Sequence, residues 1–169
     1  MVRRAQHSDD INVMIMSARL RLYPRESKKT INLNVALLGT LDNITYEQYT
    51  FITNYFMKKS IKVVSFGNNI GADENFHYIC HTQKYAYILG FSIHIYPDIN
   101  PSYNAPLKFA HATVRPKPFI ERYTSIVDAS DVLIVCLSGA NKSSYPFSDK
   151  DLNFVYDRAR YLQIDLHIL

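Results

Sequence analysis

A continuous apolar run at residues 33–39 and apolar-rich stretches at 61–65, 91–96, 132–137 and 164–169 alternate with stretches in which apolar residues recur at helical spacing. The runs show no one-sided polarity, so they predict strands buried on both faces. Between them, Thr45 and Gln48 form a capping box that starts a helix running to about Lys59. A second helix is expected from Gly71 to about Leu89, with Asp73 and Glu74 in its first turn and Gly90 at its stop. Pro118 opens a third helix that ends near Ala129, and Ser148 caps a fourth to about Tyr161. Strands that alternate with helices imply an α/β fold: a doubly wound, Rossmann-like parallel sheet of about five strands with helices on both faces. The expected order is 3-2-1-4-5, which puts a ligand crevice at the carboxyl ends of strands one and four.

Ahead of this domain, residues 33–169, lies a basic N-terminal arm, residues 1–32. The arm holds seven of the basic side chains against three acids, whereas the remainder holds twelve of each, so the whole net charge of +4 resides in the arm. Such an arm suits contact with nucleic acid or an acidic protein assembly; a solvated basic surface beside the alternating stretch Ile11–Met16 accounts for it more simply. With 169 residues, 47% of them hydrophobic, the chain has material for one substantial core. Two cysteines, Cys80 and Cys136, are too few for a disulfide framework and suit buried thiols in a reducing compartment. No apolar run reaches the ~20 residues of a membrane span, so an intracellular, most simply cytoplasmic, location without membrane contact is expected. The sequons at Asn43 and Asn141 are then without effect. A symmetric homo-oligomer is expected only because such assemblies are common.

The segment Val63–Asp73 carries the sharpest chemical signal. An apolar run breaks there into a turn flanked by Gly67 and Gly71 and then into a helix, an arrangement whose main-chain N–H groups suit a phosphate. A tight turn with no ligand uses the same glycines. Four loops meet at the expected rim: Gly39–Asp42, Phe66–Ala72, Pro97–Lys117 and Ser138–Phe147. The third is far longer than an ordinary connection and is expected to be a lid or a binding segment. The fourth offers hydroxyls on Ser138, Ser143 and Ser144 beside Gly139, which serve either a ribose phosphate or a plain turn.

In their order along the chain, these motifs resemble the SLOG superfamily, most closely its small YspA/YpsA-like members. The resemblance rests on Val35–Thr40 ending in Gly-Thr, the turn Gly67–Asp73 of Gly-Gly-x-x-Gly-Ala-Asp type, the strand Phe91–Pro97, Arg122 opening a helix that ends at Asp128–Asp131, and the loop at Ser143–Ser144. It spans roughly residues 33–169. It implies binding of a nucleotide or nucleotide-sugar derivative, of ADP-ribose or nucleoside-monophosphate type, in a sensor or in an N-glycosidic hydrolase. It also implies distant kinship with phosphoribohydrolases and with the single-strand binder DNA processing protein A. The implied ligand-binding set is Gly39, Thr40, Gly67, Asn68, Asn69, Gly71, Ala72, Asp73, Arg122, Ser138, Gly139, Ser143 and Ser144, with no cofactor.

The chain departs from the family pattern at Asn68, which replaces a glycine, at Tyr123, which replaces an asparagine, and at Tyr145–Pro146, which replace Gly-Thr. The phosphoribohydrolase signature with its catalytic glutamate is absent. Hydrolysis would draw on Asp73, Glu74, Glu121 or Asp149, with Arg122 holding phosphate through its planar fork; Glu121 and Arg122 otherwise form a surface ion pair. His77, Cys80 and His81 share a helix face at zinc-ligand spacing, but no second ligand cluster accompanies them and no metal is expected. Ser138 lacks the Gly-x-Ser-x-Gly elbow of an acyl-transfer site. The opposing expectation is a noncatalytic subunit of a larger nucleoprotein assembly, with a degenerate site and anchored by its arm.

Overall fold

Strand β1 (Leu33–Gly39) buries every side chain from Val35 onward, as an uncharged run in the middle of a sheet must. It is flanked by β2 (Ile61–Gly67) on one side and β5 (Val132–Cys136) on the other, both parallel to it. Beyond β2 lie β3 (Ser92–Tyr96) and a two-residue edge strand β4 (Ala112–Thr113); beyond β5 lies β6 (Asp165–Ile168). The sheet therefore has six parallel strands in the order β4-β3-β2-β1-β5-β6. This corrects the expected five-strand order. The added member is β4, whose Ala112 and Thr113 pair with His94 and Ile95 from inside the segment expected to be a long loop. Two residues show too little period for alternation to reveal them.

These coordinates are a computed structural model of the protein and describe residues 31–107, 109–137 and 145–169, of which Ile31–Leu169 form one compact unit. Residues 1–30 of the basic arm, with Ile11–Met16, lie outside the described residues, as do Ser138, Gly139, Ser143 and Ser144.

Alternation along β1 sends Ala36 and Leu38 to one face and Val35 and Leu37 to the other. The first face packs with Leu133 and Val135 against α4 (Phe119–Asp128) and α5 (Asp149–Tyr161), whose Ile126, Val127, Leu152 and Val155 complete a buried cluster. On the second face Phe66 meets Phe76, and Phe56 of α1 (Tyr46–Lys58) meets Phe91 edge-on. The Thr45–Gln48 capping box forms at α1 as expected, and the expected Ser148 cap at α5 is completed by Asp151 into a second such box.

The expected helix from Gly71 to Leu89 is broken. α2 (Ala72–His77) passes into a π-turn at Tyr78–Thr82, Lys84 takes a left-handed conformation at φ 61°, and α3 (Tyr85–Leu89) restarts and ends at Gly90. A residue with a side chain at positive φ interrupts the ladder of i to i−4 bonds.

Candidate functional site

The turn after β2 is built around Gly67 and Gly71. A Cβ on Gly67 would lie 2.4 Å from Asp73 Oδ2, so glycine lets the Asp73 carboxylate press against the strand end. Gly71 sits at φ 87°, and a Cβ there would lie 2.1 Å from the Leu41 carbonyl oxygen. These contacts draw the β1 exit, Gly39–Thr40–Leu41, onto the start of α2.

Every main-chain N–H from Asn69 to Ala72 is bonded inside the protein. Asn69 donates to Asp73 Oδ2 at 2.9 Å and Gly71 to Glu74 Oε2 at 3.0 Å. Ile70 donates to the Tyr103 carbonyl at 2.8 Å and Ala72 to the Thr40 carbonyl at 3.1 Å. The expectation that these amides face a ligand phosphate is thereby corrected: two carboxylates and two carbonyls of the chain itself take the places of an anion.

The segment 97–118 supplies the cover. Asp98 and Asn104 bond each other reciprocally, the Asp98 N–H to Asn104 Oδ1 at 3.1 Å and Asn104 Nδ2 to the Asp98 carbonyl at 3.0 Å. This clasp presents Tyr103 to Ile70, and Ala105 donates to the Asn68 carbonyl at 2.6 Å. Asn69 and Asn104 form an antiparallel bridge. The five prolines of the segment limit its unfolded conformations, and the Asx turn at Asn100 folds it down locally.

Beneath this cover Arg122 is fully buried. Its Nη2 lies 3.0 Å from Asp98 Oδ2, an ion pair without an aligned hydrogen bond, and its Nη1 donates to Asn69 Oδ1 at 3.3 Å. The guanidinium stands 5.1 Å from the Tyr123 ring centroid and 5.8 Å from that of Phe119. Arg122 thus turns inward to Asp98 while Glu121 faces solvent, which corrects the expected surface pair. Sequence reasoning did not single out Asp98. Its one signal was position, directly after Pro97 at the carboxyl end of a predicted strand.

Burial pushes the Asp73 carboxyl up to about 7, with Asp98 adding in the same direction against the Arg122 charge and the Asn69 N–H. Burial also raises the Tyr123 hydroxyl, and the Asp73 charge adds to that rise. Six buried polar atoms here have no hydrogen bond: Asn68 Oδ1, Asn69 Nδ2, Asp73 Oδ1, Arg122 Nε and Nη2, and Tyr123 Oη. Folded proteins leave few such atoms, and a gathering of them is a polar centre short of partners.

The other expected residues fall around this centre. Gly39 packs against Ala72 and Phe76; Thr40 is buried and bonded. Glu74 caps Gly71, and Asp149 begins α5 with an interaction of its own. His77 donates from Nε2 to the Phe109 carbonyl at 2.7 Å, and His81 stacks on the Phe109 ring at 4.7 Å, so the two histidines hold the covering segment. Among the described residues no group of three or more potential metal ligands is assembled. Cys80 is fully buried, and burial raises its thiol. No described helix is long and apolar enough to cross a membrane.

Fold and site together define a parallel α/β domain with a closed polar centre at the carboxyl end of its second strand. No protein-family model matches the chain, and no curated protein matches it.

Proposed function

We propose that the chain is a noncatalytic binding subunit whose turn after β2 serves the fold, with the basic residues 1–32 attaching it to a nucleoprotein or other acidic assembly. The observation that carries this is the internal bonding of the four amides from Asn69 to Ala72. An N–H already paired with a carboxylate or carbonyl offers nothing further to a phosphate. The departures from the SLOG pattern at Asn68, Tyr123 and Tyr145–Pro146 point the same way. Attachment through clustered cations releases counterions, so it weakens steeply with salt. Deletion of residues 1–32 is expected to abolish salt-sensitive binding to a fluorescent single-stranded or duplex oligonucleotide. Retention of that binding by the truncated chain refutes the proposal.

A second reading is favoured by the six unbonded polar atoms. A nucleotide or nucleotide-sugar derivative, of ADP-ribose or nucleoside-monophosphate type, would supply their partners if the segment 97–118 lifted. Arg122 would then take the phosphate, and Asp73, whose carboxyl burial raises in the covered domain, would be the acid nearest a departing base. The resemblance to SLOG proteins supports this reading. It requires thermal stabilisation by ADP-ribose or AMP, about 2.7 kcal/mol at a hundred times the dissociation constant. Absence of any shift at millimolar ligand removes it.

A further inference from the structure

A cleft distinct from the polar centre opens between the start of α1 and the junction of α2 with the π-turn. Its volume is about 380 Å³, within the range of small-molecule sites. Three tyrosines, Tyr46, Tyr49 and Tyr78, line it with Asn43, Thr45 and Asn75. Large exposed rings beside a cleft are a recognition feature, and here Tyr46 is 78% and Tyr78 51% exposed.

The walls are fixed before any ligand arrives. The Thr45 capping box sets the first turn of α1, and the Tyr46 and Tyr49 rings stack at 6.4 Å with an interplanar angle of 18°. Tyr49 donates its hydroxyl to Gln83 Oε1 at 2.9 Å. Asn75 Oδ1 accepts the Ile44 N–H at 2.9 Å, which orients that side chain and makes its Nδ2 the donor end. The remaining lining residues, Ile44 and Ile79, are apolar, and none of the eight carries a formal charge.

Phenol faces with amide edges and no cation suit a flat, uncharged ring that has its own donors and acceptors, and they disfavour a phosphate or a carboxylate. We propose that this cleft binds a heterocycle of the nucleobase type, stacked on Tyr46 or Tyr78 and bonded at its edge by Asn75. The ring has two possible sources, a free nucleoside or a single strand of nucleic acid. Neither requires the segment 97–118 to move, so the proposal stands apart from both readings of the polar centre.

The test is calorimetric titration of the full chain with adenosine, and with a short adenine single strand beside an abasic strand of equal length. Saturable binding of adenosine, or of the adenine strand in preference to the abasic one, is expected. Tyr46→Ala and Tyr78→Ala should each weaken it about tenfold with unchanged circular dichroism, while Tyr46→Phe and Tyr78→Phe retain it. Ribose 5-phosphate should neither bind in the cleft nor compete. The proposal is overturned if neither adenosine at millimolar concentration nor the adenine strand binds, if binding is indifferent to both alanine substitutions, if the abasic strand binds equally at a salt concentration high enough to suppress phosphate contacts by residues 1–32, or if ribose 5-phosphate displaces the ligand.

Discussion

At the scale of single residues, Asp73 is where local chemistry and burial conflict. Its place in the first turn of α2 was legible from sequence, because acids favour helix starts. Its burial was not, since that depends on Gly67 lacking a side chain and on Arg122 and Asp98 arriving from 49 and 25 residues downstream. With the folded value raised to about 7 from 3.8, the folded state holds a proton that the unfolded state releases. The contribution of Asp73 is therefore fully present below the unfolded value and declines as pH rises to the folded value, beyond which it is flat. Asp73→Asn removes this dependence while keeping an acceptor for the Asn69 N–H. Melting temperatures of the two proteins should diverge in favour of the variant between pH 5 and about pH 7, then run parallel. A constant difference across that range would show that Asp73 stays ionised.

At the scale of elements, strong periods were readable and contacts made at a distance were not. α1, α4, α5 and the five longer strands follow from apolar spacing and from the Thr45, Pro118 and Ser148 starts. The break at Lys84 was hidden because His77, Cys80 and His81 keep helical spacing through a π-turn, which shifts register without altering the residues. The loop Pro97–Lys117 was expected to be a lid or a binding segment, and its residues clasp one another and the turn after β2. The clasp depends on Asn104, whose side chain makes both bonds to the Asp98 backbone. Asn104→Ala forfeits the two together and should cost roughly 1–3 kcal/mol. Urea denaturation would show this as a lower midpoint with an unchanged slope. An unaffected midpoint would mean that the segment contributes little to holding the domain shut.

At the scale of the whole domain, the two readings of the polar centre differ in how the molecule opens. Four amides surround one turn, but their acceptors belong to different parts: Ile70 depends on Tyr103 of the segment, whereas Ala72 depends on Thr40 at the end of β1. If the centre is a permanent part of the fold, both bonds break only when the sheet does, and the two amides exchange with solvent at the free energy of global unfolding. If the segment lifts to admit a ligand, Ile70 of the turn and Ala105 of the segment, whose bonds cross between the two, become exposed in a smaller opening while Ala72 stays protected. Native-state hydrogen exchange at rising denaturant separates these cases without a ligand having been identified. The noncatalytic reading predicts that Ile70, Ala105 and Ala72 converge on the value of core amides such as Leu37 and Val64, which are fully buried in the sheet. Exchange of Ile70 and Ala105 well below that value, with Ala72 unchanged, would transfer support to the nucleotide-binding reading, because a segment that opens alone gives a ligand access to Arg122 and Asp73.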